Sequence, residues 1–144
     1  MDSYTRRRGN GRLFGGGSTI GERHGIDAEI LAHYEEGIEK ERLLGEGPGR
    51  LEYLRTRELL ARYLPSAAAT VLDVGGGAGA YALPLAKEGY SVYLVDPVPL
   101  HVEQATAASV AQPEAPLIGV EVGDARSLSQ EDESVDAVLL LGPL

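Results

Sequence analysis

The stretch Val71-Leu72-Asp73-Val74-Gly75-Gly76-Gly77-Ala78-Gly79 limits most strongly what this chain can fold into. An apolar strand runs straight into glycines and then into a helical segment. Such a change of direction within a few residues needs positive φ angles, which glycine alone adopts at low cost. Gly75 and Gly77 are assigned to the turn. Without side chains, the loop also lets a ligand approach the main chain, and the first N–H groups of the next helix point at whatever sits there. A tight turn with no ligand is the plainer alternative. Three adjacent glycines plus a fourth two residues on favour a binding loop.

Gly75, Gly77 and Ala80 also satisfy the G-x-G-x-x-G/A dinucleotide fingerprint, with Asp96 at about the distance of a ribose-binding acid. Asp73 speaks against a nicotinamide cofactor. It lies inside the strand, two residues before the first glycine, where a nicotinamide-binding strand normally keeps an apolar side chain. A carboxylate there is expected to face the ligand, and it suits a positively charged ligand better than a pyrophosphate.

The segment Asp73-Val74-Gly75-Gly76-Gly77-Ala78-Gly79 resembles the first motif of the class I S-adenosylmethionine-dependent methyltransferases, acid-x-Gly-x-Gly-x-Gly, at every position. S-adenosylmethionine carries an ammonium, a carboxylate and a sulfonium, so an acid beside a nest of N–H groups is a sensible receptor. The resemblance extends over about residues 26 to 144. It implies that Asp96 accepts from both ribose hydroxyls and that Pro97 packs on the adenine face. It implies further that Asp124, in Gly123-Asp124-Ala125, accepts from the exocyclic amine of adenine while the Ala125 N–H donates to the ring. The expected cofactor-binding set is thus Asp73, Gly75, Gly76, Gly77, Gly79, Asp96, Pro97, Asp124 and Ala125, with no metal.

A chain of 144 residues is long enough for one domain with a proper core. It has no cysteine, which excludes disulfides, thiolate chemistry and cysteine-ligated metals. No stretch approaches the ~20 apolar residues of a membrane span, and the N-terminus lacks a secretory h-region, so a cytoplasmic protein is expected. The net charge of -9 makes nucleic acid an unfavourable partner. The charge is uneven: residues 1–25 hold Arg6, Arg7, Arg8, Arg12 and Arg23 against Asp2 and Glu22, so the remainder is the acidic part.

Along the chain, residues 1–25 are rich in arginine and glycine without helical or strand period and read as a disordered tail. Residues 26–64 read as a helical cap. One helix starts at Asp27 and carries Ile30, Tyr34 and Ile38; a second runs from about Arg50 to Leu64 with Tyr53, Leu60 and Leu64 on one side. In the resembled family such helices lie over the cofactor, which would bring Tyr34 and Arg50 towards it, the plainer readings being aromatic packing and a solvated charge. Residues 65–144 form the doubly wound part. Strands are expected at Thr70–Val74, Ser91–Val95, Leu117–Val122 and Val135–Leu141, and helices at Ala78–Lys87, bent near Pro84, and Leu100–Ala111. Alternating strands and helices predict an α/β fold, a Rossmann-like parallel sheet with helices on both faces. The family's strand order is three, two, one, four, with ligands at the carboxyl ends beside strand one.

Family members continue beyond strand four with more strands and helices, so the chain reads as the cofactor-binding half, truncated after that strand. Its apolar edge would then need a covering partner chain. The expected function is methyl transfer from S-adenosylmethionine to an acceptor, a small molecule on the strength of the acidic charge. The alternatives are an NAD(P)-dependent oxidoreductase and a non-catalytic adenosyl-binding or interaction module. No catalytic acid or base stands out. His24, His33 and His101 are read as surface residues.

Overall fold

A computed structural model describes residues 47–141. The tail and the helix beginning at Asp27, with Tyr34, lie outside the described residues. So do Gly142, Pro143 and Leu144.

The first described helix, α1 (Pro48–Tyr63), starts on a proline, whose missing N–H is not needed at that position. It ends because Pro65 forces the preceding residue out of helical angles, and Leu64 is extended at φ -66°, ψ 149°. Strand β1 (Thr70–Val74) then enters the sheet, followed by α2 (Ala82–Lys87), β2 (Ser91–Asp96), α3 (Pro99–Val110), β3 (Gly119–Val122) and β4 (Ala137–Leu140). The four strands are parallel in the order β3-β2-β1-β4, as expected. The architecture is Rossmann-like α/β.

Helices α1, α2 and α3 contribute to one core with Val71, Val92, Leu94 and Leu139. Leu60 of α1 is buried there, and the ring of Tyr53 stacks on Tyr81 at 5.3 Å between centroids. Arg57 adds an ion pair to Glu88 at the end of α2. The opposite face carries a smaller cluster of Leu72, Val74 and Val95.

Most boundaries fall within two residues of expectation, and the differences with structural reasons lie in α2 and β4. Helix α2 begins at Ala82 rather than Ala78, because Gly79 sits at φ 87° and its left-handed backbone keeps the chain in turns until Tyr81. Pro84 is consequently the third residue of the helix, in its first turn where proline is tolerated, so it does not fall at a mid-helix position that would be bent. Strand β4 is short, because Asp136 turns its carboxylate back to accept the Thr70 N–H at 2.7 Å. It is also buried on one face only: Leu139 is 5% exposed, whereas Val138 and Leu140 are each 50% exposed.

Candidate functional site

The carboxyl ends of β1 and β2 lie side by side, since Val74 pairs with Val95 in the ladder. The Gly75 N–H continues that ladder by donating to the Val95 carbonyl at 2.8 Å. The chain then turns through Gly75, Gly77 and Gly79 at φ 73°, 56° and 87°. A Cβ on Gly75 or Gly77 would meet nothing within 4 Å, so the outer surface of the turn is open. Its inner surface is packed: a Cβ on Gly76 would come within 2.7 Å of Asp73 Oδ2 and 2.9 Å of Leu94 Cγ.

Asp73 therefore lies beneath the turn. Strand alternation puts it on the same face as Val71, and it is 1% exposed. Its Oδ2 is buried with no hydrogen-bond partner among the described residues. Burial, and next the negative charge of Asp96, raises its carboxyl to a pKa of about 7. An acid in this state is a poor structural element by itself, because a buried carboxylate without donors forfeits its hydration.

Asp96 is also buried, at 4% exposure, but is well supplied with partners. Its Oδ2 accepts the Gly77 N–H at 2.8 Å; its Oδ1 accepts the Val98 N–H at 3.0 Å and lies 3.0 Å from His101 Nδ1. An ionised carboxylate has about four acceptor directions, and the chain itself takes three of them. Asp96 thus fastens the glycine turn to the start of α3. A ribose hydroxyl would find one direction left on Oδ2, not the pair that the resemblance implied.

His101 corrects the expectation of a surface residue. It is 5% exposed, with its ring against Asp96. The available signal was Pro99: a proline that opens the helix makes His101 the third helical residue, and side chains of a first turn lean back toward the N-terminus. Here that direction leads to the end of β2.

Asp124 and Ala125 follow β3, two strands from β1 and so about 10 Å across the sheet from the turn. The Gly123 N–H donates to the Asp96 carbonyl at 3.1 Å, which brings this segment to the end of β2. Asp124 is held by Arg126, whose backbone N–H and Nε each donate to Oδ1 at 2.9 Å and whose guanidinium pairs with Oδ2. These bonds pull the Asp124 carboxyl down to about 2. Pro97 is half-buried beside Asp96, and Arg50 is exposed at the start of α1. The residues converging on the turn are thus Asp73, Gly75, Gly76, Gly77, Gly79 and Asp96, with His101 behind them. Among the described residues, no group of three or more histidine, aspartate or glutamate side chains could hold a metal, and no helix is long and apolar enough to cross a membrane.

The chain is similar to several known proteins. It is 38% identical over 77 residues to an uncharacterised methyltransferase of Mycobacterium tuberculosis, a match covering 54% of this chain and 29% of that protein. It superposes on the PH0226 protein of Pyrococcus horikoshii with a TM-score of 0.55 and 29% identity, covering 65% of this chain and 43% of the other. The magnesium protoporphyrin IX methyltransferase of Synechocystis PCC 6803, solved with bound SAM, shares the fold at a TM-score of 0.61 and 21% identity, over 78% of this chain and 60% of its own. The matched part spans less than two thirds of each of these proteins. Residues 71–144, from the middle of β1 through the glycine turn and both acidic strand ends, match the methyltransferase domain along more than half of the chain, and the chain belongs to that family.

Proposed function

We propose that the open turn over Asp73 is the binding site for S-adenosylmethionine, and that the protein transfers its methyl group to an acceptor. The observation that carries this is the buried, unpartnered Asp73 Oδ2 under a turn whose outer surface is free. A cation resting on the turn would compensate that carboxyl. A pyrophosphate would instead rest over the buried Asp73 and near Asp96, two acids, which disfavours the nicotinamide alternative.

The residues present fit the cofactor. Gly75 and Gly77 leave room for close approach to the main chain, Asp96 keeps one acceptor direction for a ribose hydroxyl, and Asp124 with the Ala125 N–H offers an acceptor and a donor for a base edge. When bound, the cofactor supplies an activated methyl group on a sulfonium. The chain's own contribution is then to fix the turn, hold the nucleoside and exclude water around it. The acidic charge supports a small-molecule acceptor and disfavours nucleic acid. The absence of cysteine is in keeping with a cytoplasmic setting. The half-exposed Val138 and Leu140 support a partner chain over the β4 edge.

Calorimetric titration of the 144-residue chain with S-adenosylhomocysteine and with NAD tests the site. Selective binding of S-adenosylhomocysteine is expected, and a folded sample that binds NAD alone or neither ligand would overturn it. A methylation screen in which only RNA or protein became labelled would remove the small-molecule acceptor.

A further inference from the structure

We infer that His101 is a positioning residue for this site, acting through Asp96 to hold the Gly77 amide, and with it the glycine turn, in the binding conformation. The inference rests on the turn being the adenosyl site, and it concerns how the turn is held.

Two contacts in a row carry it. The His101 ring and Asp96 Oδ1 are 3.0 Å apart, Asp96 Oδ2 and the Gly77 N–H are 2.8 Å apart, and both side chains are about 5% exposed. A carboxylate only accepts, so the proton of this pair sits on Nδ1, which fixes the tautomer and the orientation of the imidazole. The Val98 N–H and the ring then both grip Oδ1. Two donors on one oxygen hold the carboxylate plane, and Oδ2 is left facing the turn. Gly77 needs that grip, because a Cβ built on it would meet nothing within 4 Å, so no packing on that side presses it into place. An apolar side chain at 101 would fill the same volume without constraining Asp96. Burying an imidazole instead is justified only by the bond it makes. The charged groups around the relay are Asp96 itself and Asp73, whose carboxyl is raised partly by the Asp96 charge. A donor on Asp96 from the α3 side spreads that charge away from Asp73.

The test uses the full 144-residue chain as wild type, His101→Leu and His101→Asn, since an asparagine amide can occupy the place of ring Nδ1–H. S-adenosylhomocysteine affinity and hydrogen exchange of the Gly77 amide are read together. His101→Leu is expected to weaken binding by about tenfold or more and to speed Gly77 exchange, and His101→Asn to restore most of both. A folded His101→Leu variant with wild-type affinity and Gly77 protection overturns the inference, as does equal loss in both variants. If the wild type itself binds no S-adenosylhomocysteine, the adenosyl reading fails by itself. The relay then stands or falls on whether Gly77 protection drops in the leucine variant and returns in the asparagine variant. Should the leucine variant not fold, the 15N shifts of the wild-type ring decide: a protonated Nδ1 supports the relay, and a bare Nδ1 overturns it.

Discussion

Gly76 closes over the carboxyl of Asp73 so tightly that a single added Cβ would stand 2.7 Å from Oδ2. The second glycine of the run is therefore required for space, whereas Gly77 is required for its positive φ and open outer side. Strand and turn are keyed to each other through this contact. It also keeps water from Asp73, and that exclusion is the larger cause of the raised carboxyl, ahead of the Asp96 charge.

Gly76→Ala should then cost stability, because the atoms in its way are a buried carboxyl and Leu94 in the core. Overpacking of this kind costs roughly 1–3 kcal/mol. Urea denaturation should show an earlier midpoint with an unchanged slope, and a midpoint equal to wild type would mean that the turn relaxes freely.

Asp73 makes stability depend on pH in an unusual direction. Its carboxyl titrates near 7 in the folded protein and at 3.8 in the unfolded chain, so between these values the folded state holds a proton that the unfolded state has released. Stability contributed by this proton is full below about pH 4 and is lost as pH rises to about 7, by up to ~4 kcal/mol. Asp124 acts oppositely and lower, its contribution fading only as pH falls from 3.8 towards 2. Denaturation midpoints at pH 5 and pH 8 should therefore differ in the wild type, with the lower pH more stable, and should converge in Asp73→Asn. An equal spread in the variant would assign the dependence to other groups.

Much of this was legible in the sequence, for identifiable reasons. Strand β1 begins and ends where read, at Thr70 and Val74, because an apolar run bounded by glycine leaves little choice of register. The strand order, which the resemblance implied together with right-handed crossovers, is the one found. The start of α2 was misread because Gly79 was assigned to a helix it interrupts. His101 was missed because periodicity alone does not carry its burial, and only Pro99 at the helix start, which leans the first-turn side chains back to the end of β2, signals it. The occupation of three acceptor directions of Asp96 was equally invisible, since the donors that occupy it are mostly backbone N–H groups.

Removing the Asp96 carboxylate should affect binding and folding together. In Asp96→Ala the Gly77 and Val98 amides and the His101 ring all lose their acceptor at a buried position. Charge-assisted bonds are worth ~1.5–3 kcal/mol each. Affinity for S-adenosylhomocysteine should fall by at least the worth of one such bond, with a lowered melting temperature alongside. Unchanged affinity by calorimetry would deny Asp96 any role at the site.

Asp124 and Arg126 set up the clearest prediction about the base. The guanidinium of Arg126 occupies the carboxylate that would otherwise accept from an adenine amine, so the two donors compete. Arg126→Gln should accordingly strengthen binding of S-adenosylhomocysteine, whereas Asp124→Asn should weaken it and narrow its advantage over the inosine analogue, which lacks the amine. With Arg126 in place the Asp124 carboxyl titrates near 2, and without the guanidinium it returns only towards its ordinary 3.8, so it is ionised at pH 6 and at pH 8 and both effects should be the same at the two pH values. Titrating each variant with both nucleosides at pH 6 and pH 8 checks this. Adenine preference that survives Asp124→Asn intact would move base recognition off this strand end.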